Sequence, residues 1–204
     1  MVFAYSFKGD RRMITISNIS YSYGSHVVLK SLSLSLPETG ITHLIGKNGV
    51  GKTTFLRFLG GMLKTRADIE PESARLVFID RECLTLDFLT VKEFLSMFTL
   101  VDDCYKSTVQ ALVSSYENTY VHALSLGQSS RLVFALLAYI DADVLLLDEP
   151  FNGLDDEGRA MAYSFLEELG RSKHIIFSTH EKDVRNNIAN YRLHLVDPQR
   201  LVFC

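Results

Sequence analysis

Apolar residues recur along this chain with two periods, and the points where the period changes mark its elements. Ile14 and Ile16 alternate with polar neighbours, and Leu32, Leu34 and Leu36 alternate with Ser31, Ser33 and Ser35. A period of two predicts two half-buried strands that form an antiparallel sheet. Tyr21-Ser22-Tyr23-Gly24 reads as a turn between them that carries exposed aromatics. The solid apolar run Ile41 to Ile45 predicts a buried strand, and Phe55, Leu56, Phe58 and Leu59 behind it keep helical spacing. After Gly60-Gly61 and a polar stretch containing Pro71, Ala74 to Ile79 predicts another strand, ended by Asp80-Arg81-Glu82. From Thr90 the spacing turns helical. Thr90 and Glu93 form a capping box, with Val91, Phe94, Leu95 and Phe98 behind it. Helical spacing continues through Tyr105, Val109, Leu112 and Val113, and again from Leu132 to Ile140. Val144 to Leu147 and Ile175 to Phe177 predict two more buried strands; Ala162, Phe165, Leu166 and Leu169 mark a helix between them, closed by Gly170.

Between the third strand and its helix lies Gly46-Lys47-Asn48-Gly49-Val50-Gly51-Lys52-Thr53-Thr54, which fits the phosphate-cradling pattern Gly, any four, Gly-Lys-Ser/Thr without a mismatch. The glycines let backbone N–H groups turn inward around phosphates, the helix N-terminus adds partial positive charge, and Lys52 adds a full one. Thr53 is left to hold Mg2+ through its hydroxyl. A plain tight turn has no use for Lys-Thr in that place. Strand, glycine loop and helix together predict an α/β fold of the P-loop NTPase kind, with a mostly parallel core sheet, an antiparallel β subdomain and a small helical subdomain over about 88–138.

The buried strand Val144 to Leu147 ends in Asp148-Glu149-Pro150. Two adjacent acids closing such a strand are costly unless they hold a cation or move a proton. Asp148 suits the magnesium shell, and Glu149 suits a base that orients an attacking water. The strand Ile175 to Phe177 ends in Ser178-Thr179-His180 where it meets the same crevice, so His180 is expected to contact the terminal phosphate. The other histidines have no ligand spacing and read as structural. A tyrosine at Tyr21 or Tyr23 would stack on adenine, or one or both are simply strand residues; the pattern alone favours neither. Leu124-Ser125-Leu126-Gly127-Gln128, ahead of the Leu132 helix, is by itself ordinary cap and turn chemistry.

Composition bounds this picture without redrawing it. At 204 residues and 47% hydrophobic the chain buries one full core, expected as a single domain over 13–204 with residues 1–12 an N-terminal extension. A net charge of −3 supplies no overall pull toward nucleic-acid backbones, and no nucleic-acid partner is expected. Three scattered cysteines without ligand spacing fit a reducing, cytoplasmic compartment. The longest apolar run, Leu132 to Ile140, falls far short of the roughly 20 residues that span a bilayer.

Taken together, the chain resembles the ATP-binding subunit of an ABC transporter from Met13 to its end. Gly46 to Thr53 matches the phosphate loop, Leu124 to Gln128 the signature, Val144 to Glu149 the Walker B strand, Asp155 the D-loop and His180 the switch histidine, in the family's order. The resemblance implies ATP and Mg2+ as ligands, Tyr23 as the adenine-stacking aromatic with Tyr21 second, and catalysis by Lys52, Glu149 and His180. It also implies a second ATPase subunit, identical or not, docked head to tail. Ser125 and Gly127, with Gln128 and Asp155 nearby, would then close over the ATP of the partner protomer. ATP would close that dimer and hydrolysis would open it, driving separate membrane-spanning subunits from a position peripheral to the membrane's inner face.

Two departures stand out. The family's usual glutamine after the Phe78-Ile79 strand is replaced: alignment through Leu89-Thr90-Val91 puts Arg81 there, with Glu82 next to it. Leu126 stands where the commonest signature has glycine. The segment Leu89 to Glu93 resembles small exporter-type ATPases, and the short tail after His180 leaves out the regulatory domain of some importer ATPases, so the expectation leans to export. The alternatives are a degenerate ATP-binding regulatory domain with weak turnover, suggested by the missing glutamine, and a soluble ABC protein outside transport.

Overall fold

The computed structural model describes residues 13–86, 88–179 and 188–203. In chain order its strands and helices are β1 (Met13–Tyr23), β2 (His26–Pro37), β3 (Gly40–Ile45), α1 (Lys52–Leu59), β4 (Asp68–Glu70), β5 (Leu76–Ile79) and α2 (Val91–Ser96). There follow α3 (Lys106–Val113), α4 (Leu126–Leu136), β6 (Val144–Asp148), α5 (Asp156–Leu169), β7 (His174–Ser178), β8 (Tyr191–Asp197) and β9 (Arg200–Phe203). Short 3-10 turns, among them Arg81–Cys83, lie between them.

The six-stranded sheet has the order β5-β6-β7-β3-β8-β9, with every neighbouring pair parallel except β8 and β9. Its central strands are buried along their length and mostly apolar, because both faces are covered. Alternation then sorts their side chains. Leu145, Leu147, Ile175, Phe177 and Ile79 face a core built with α2, α3, α4 and α5. Val144, Leu146, Ile176, Leu44 and Phe78 face a second core built with α1 and the antiparallel sheet, through Phe55, Leu56, Phe58, Ile16, Leu34 and Leu36. The α/β expectation and the antiparallel pairing of β1 with β2 both hold.

Three local readings change. Tyr21 and Tyr23 are strand residues: β1 runs on to Tyr23, paired with His26, and the turn sits at Gly24-Ser25. The register of the hairpin shifts after Ile16, where Asn18 adopts a left-handed backbone at φ 56°. That shift moves Tyr21 inward against Phe58, at a centroid distance of 6.3 Å, and leaves Tyr23 53% exposed. The polar stretch before Pro71 contains β4, which pairs with β1 and completes the order β2-β1-β4. β8 and β9 extend the parallel sheet beyond β3. The helical spacing read from Thr90 onward resolves into α2, α3 and α4, and Thr90 caps α2 through both bonds of its box with Glu93.

Candidate functional site

Because β5, β6, β7 and β3 are parallel neighbours, the segments that follow their C-terminal ends emerge along one edge of the sheet. From β3 comes the loop Gly46 to Gly51 and then α1. Gly51, at φ 107°, occupies the N-cap of α1, and a Cβ there would sit 2.6 Å from Val28 Cγ1 of β2. Only glycine fits that backbone and that contact. α1 has no side-chain cap, and its first internal acceptor is Gly51 O, 2.8 Å from Phe55 N. Among the described residues the N–H groups of Lys52, Thr53 and Thr54 take no acceptor, as expected of a helix start that serves a ligand. Lys52 is only 8% exposed, and its Nζ donates to Gly46 O at 3.0 Å and Lys47 O at 3.3 Å. Its charge meets neutral carbonyls, not a carboxylate.

β6 delivers the acids. Thr53 Oγ1 donates to Asp148 Oδ2 at 2.7 Å, and Ser178 Oγ, from the neighbouring end of β7, donates to Asp148 Oδ1 at 2.5 Å. Glu149 follows with a left-handed backbone at φ 48°, a conformation that costs a non-glycine residue about 1–3 kcal/mol and concentrates at functional sites. Ser178 holds that turn as well: Glu149 N donates to Ser178 Oγ and to Ser178 O, each at 3.2 Å. A cleft of about 190 Å³ opens here, lined by Asp148, Glu149, Ser130 and the segment Asp80-Arg81-Glu82. Thr53 and Asp148 are hard oxygen donors placed side by side, a set that fits Mg2+ when phosphate oxygens and waters fill the remaining positions.

The signature stretch lies elsewhere on the chain's surface. Ser125 caps α4: its hydroxyl accepts from Gln128 N at 3.2 Å, and Gln128 Oε1 accepts from Ser125 N at 2.9 Å. Buried Tyr116 donates to Leu112 O and Gln128 O, which fixes the first turn of α4 to the end of α3. The turn after β6 packs onto this helix start. A Cβ on Gly127 would sit 2.7 Å from Gly153 O, Ser130 Oγ donates to Asn152 O at 2.7 Å, and Arg131 pairs with Asp155 at 2.7 Å. Asp155 is also the N-cap of α5, accepting from Gly158 N; the bonds from Arg131 and Gly158 draw its pKa below the usual carboxylate range.

The structure thus brings Gly46, Asn48, Gly49, Gly51, Lys52, Thr53 and Thr54 to one place with Asp148 and Glu149. It groups Ser125, Gly127, Gln128 and Asp155 at a second place, and among the described residues no hydrogen bond or ion pair joins that group to residues 46–54. Tyr23 is exposed on the hairpin whose other arm touches Gly51. His180 lies outside the described residues. Sequence reasoning missed Ser178, although it stood two residues before the histidine it singled out, and it missed Arg57. Arg57 Nη2 reaches Glu82 at 3.1 Å and Asp80 at 3.4 Å from the far end of α1. A single cation inside the apolar run Phe55 to Leu59 was the available signal.

Comparison with known proteins gives a family and a fold. Residues 29–152 match the family model described as ABC transporter. The chain is 30% identical over 173 residues to a probable metal transport system ATP-binding protein of Thermotoga maritima, covering 80% of this chain and 72% of that protein. It is 26% identical to a sulfate/thiosulfate import ATP-binding protein of Nocardia farcinica, covering 87% of this chain and 60% of the other. It is 30% identical to ATP-binding cassette sub-family A member 9 of Homo sapiens, where 90% of this chain spans 13% of the relative. Its fold matches a solved ATP binding subunit of an ABC transporter with a TM-score of 0.78 at 18% identity, over 95% of this chain and 90% of that one.

Proposed function

The chain belongs to the ABC transporter family as one of its ATP-binding domains, and on that premise we propose that it hydrolyses ATP and passes the energy to membrane-spanning partner chains. The observation that carries the reading is the bonded line Thr53–Asp148–Ser178 beside the open start of α1. The loop N–H groups would take the phosphate oxygens, and Lys52 would exchange two carbonyls for them. Thr53 and Asp148 would hold Mg2+, which supplies positive charge against the phosphates. Glu149, held by Ser178, would accept the proton of a water whose oxygen attacks the terminal phosphorus as the bond to the bridging oxygen breaks. His180 is assigned to the terminal phosphate, and Tyr23 to the base.

Ser125, Gly127, Gln128 and Asp155 would serve a second protomer's ATP. Two observations support this: Ser125 is exposed, and none of the group is joined to this chain's own phosphate loop. Among the described residues no helix is long and apolar enough to cross a membrane, which fits a subunit that acts through membrane partners. The named relatives include an importer and a member of subfamily A, and the direction of transport is assigned to the membrane partner.

The test is steady-state hydrolysis by the wild type beside Glu149→Gln. The variant is expected to lose at least about 100-fold in rate while still binding ATP, and to run as a dimer with ATP on a sizing column. Equal rates would overturn the assignment of Glu149. A second reading, an ATP-dependent dimer switch with slow turnover, is favoured by Glu82 being tied to Arg57; negligible hydrolysis by the wild type together with its partner chains would select it.

A further inference from the structure

The segment Asp80-Arg81-Glu82 puts a cation between two acids in the lining of the cleft. An acid on either side lowers the local positive potential of the arginine unless the acids are engaged elsewhere. The fold offers both acids another partner. Arg57, on the helix that begins at the phosphate loop, donates to Asp80 Oδ2 at 3.4 Å and to Glu82 Oε2 at 3.1 Å, with its guanidinium 5.8 Å above the centre of the Phe78 ring. Asp80 is engaged twice, because its other oxygen accepts from Glu82 N at 2.9 Å and caps the 3-10 turn. Among the described residues Arg81 has no ion-pair partner, and it lines the cleft together with Asp148 and Glu149.

Glu82 and Arg81 are therefore not equivalent candidates for contact with a ligand. Glu82 is committed to Arg57, and a further carboxylate beside Asp148 and Glu149 would repel phosphate. Arg81 carries a permanent charge and a planar fork of donors that suits phosphate oxygens. We propose that Arg81 contacts the terminal phosphate of the bound nucleotide, and that Arg57 is the positioning residue that keeps Asp80 and Glu82 from neutralising it. The inference rests on the nucleotide reading above and adds a discriminator to it. ATP and ADP differ in the phosphate that Arg81 would touch, so the loss should fall on ATP alone.

Calorimetric titration with Mg2+-ATP and Mg2+-ADP tests it on the wild type, Arg81→Ala, Arg57→Ala and the double variant Arg57→Ala/Glu82→Gln. Arg81→Ala is expected to weaken ATP binding about 10-fold, the loss of a charge-assisted hydrogen bond, and to leave ADP binding unchanged. Arg57→Ala should weaken ATP selectively, though less, and Glu82→Gln in that background should recover part of the loss. Retained ADP binding shows that each variant is folded. Equal losses for ATP and ADP in Arg81→Ala, or no loss, would overturn the role of Arg81. Failure of the double variant to recover would overturn the role of Arg57. A wild type that binds neither nucleotide would overturn the nucleotide reading itself and this inference with it.

Discussion

The two helices proposed to meet phosphate, α1 and α4, begin in opposite ways. α1 starts at a left-handed glycine with no side-chain cap, and its first N–H groups are left open. α4 starts at Ser125 with both bonds of a capping box made and Tyr116 bracing its first turn. A capping side chain is worth roughly 0.5–2 kcal/mol, so α1 forgoes a local stabilisation that α4 keeps. A helix start left unfinished by its own chain is available to a ligand at once. The cap on α4 takes the N–H of Gln128, and among the described residues those of Leu126 and Gly127 take no acceptor, so this start meets a ligand through a narrower rim, which suits a surface that acts on another molecule.

The contrast breaks most sharply at Lys52. Lys52→Ala is expected to weaken ATP binding about 100-fold, since hydrogen bonds from charged donors are worth up to about 3 kcal/mol. Ser125→Ala should leave the ATP affinity of the single chain unchanged. Calorimetric titration of both variants measures the difference, and matching losses would erase the distinction between the two starts.

A second prediction concerns the sheet beneath α1. Thr42 Oγ1 and His174 Nε2 lie 2.8 Å apart and tie β3, which leads into the phosphate loop, to β7. Burial pulls the His174 pKa down from 6.5 to about 4, against the opposing backbone bonds of Thr39 and Pro37. The unfolded chain therefore binds a proton in that window which the folded chain refuses. This contribution is intact above about pH 6.5 and is lost as pH falls toward 4, reaching about 2 kcal/mol of destabilisation at roughly pH 5. Urea midpoints at about pH 7 and about pH 5 measure it, and His174→Gln should flatten the slope.

Smaller effects sharpen the comparison. Gly51→Ala forces a side chain into a left-handed backbone and onto Val28, with an expected loss of about 1–3 kcal/mol. Gly127 has no such backbone, and Gly127→Ala should act by pushing the Gly153 carbonyl, so its effect should appear in ATP-driven dimerisation, not in ATP binding. Ser125→Ala should lower stability by about 1 kcal/mol through loss of the cap, read as a shift in thermal midpoint.

Much of this was legible from residue order. The phosphate loop, the acids closing β6 and the cap at Thr90 are local devices, whose backbone demands are met by residues a few positions apart. Solid apolar runs marked the buried strands for the same reason, since both faces of the sheet are covered. Short edge strands carry a weaker pattern, and the polar β4 was hidden by its composition.

By itself the sequence singled out two candidate stretches, the glycine loop with Lys52 and Thr53 and the pair Asp148-Glu149, while the Ser125 helix start was singled out only through the family resemblance. Tertiary structure decided what those stretches touch. It placed Ser178 on Asp148, set Glu149 in a left-handed turn, and paired Asp80 and Glu82 of the cleft lining, but not Arg81, with Arg57. Caps and loops close over a few residues, so their rules can be read along the chain. An ion pair between Arg57 and Glu82, or a hydrogen bond between Thr53 and Asp148, exists only after the parallel strands have brought distant segments to one edge of the sheet.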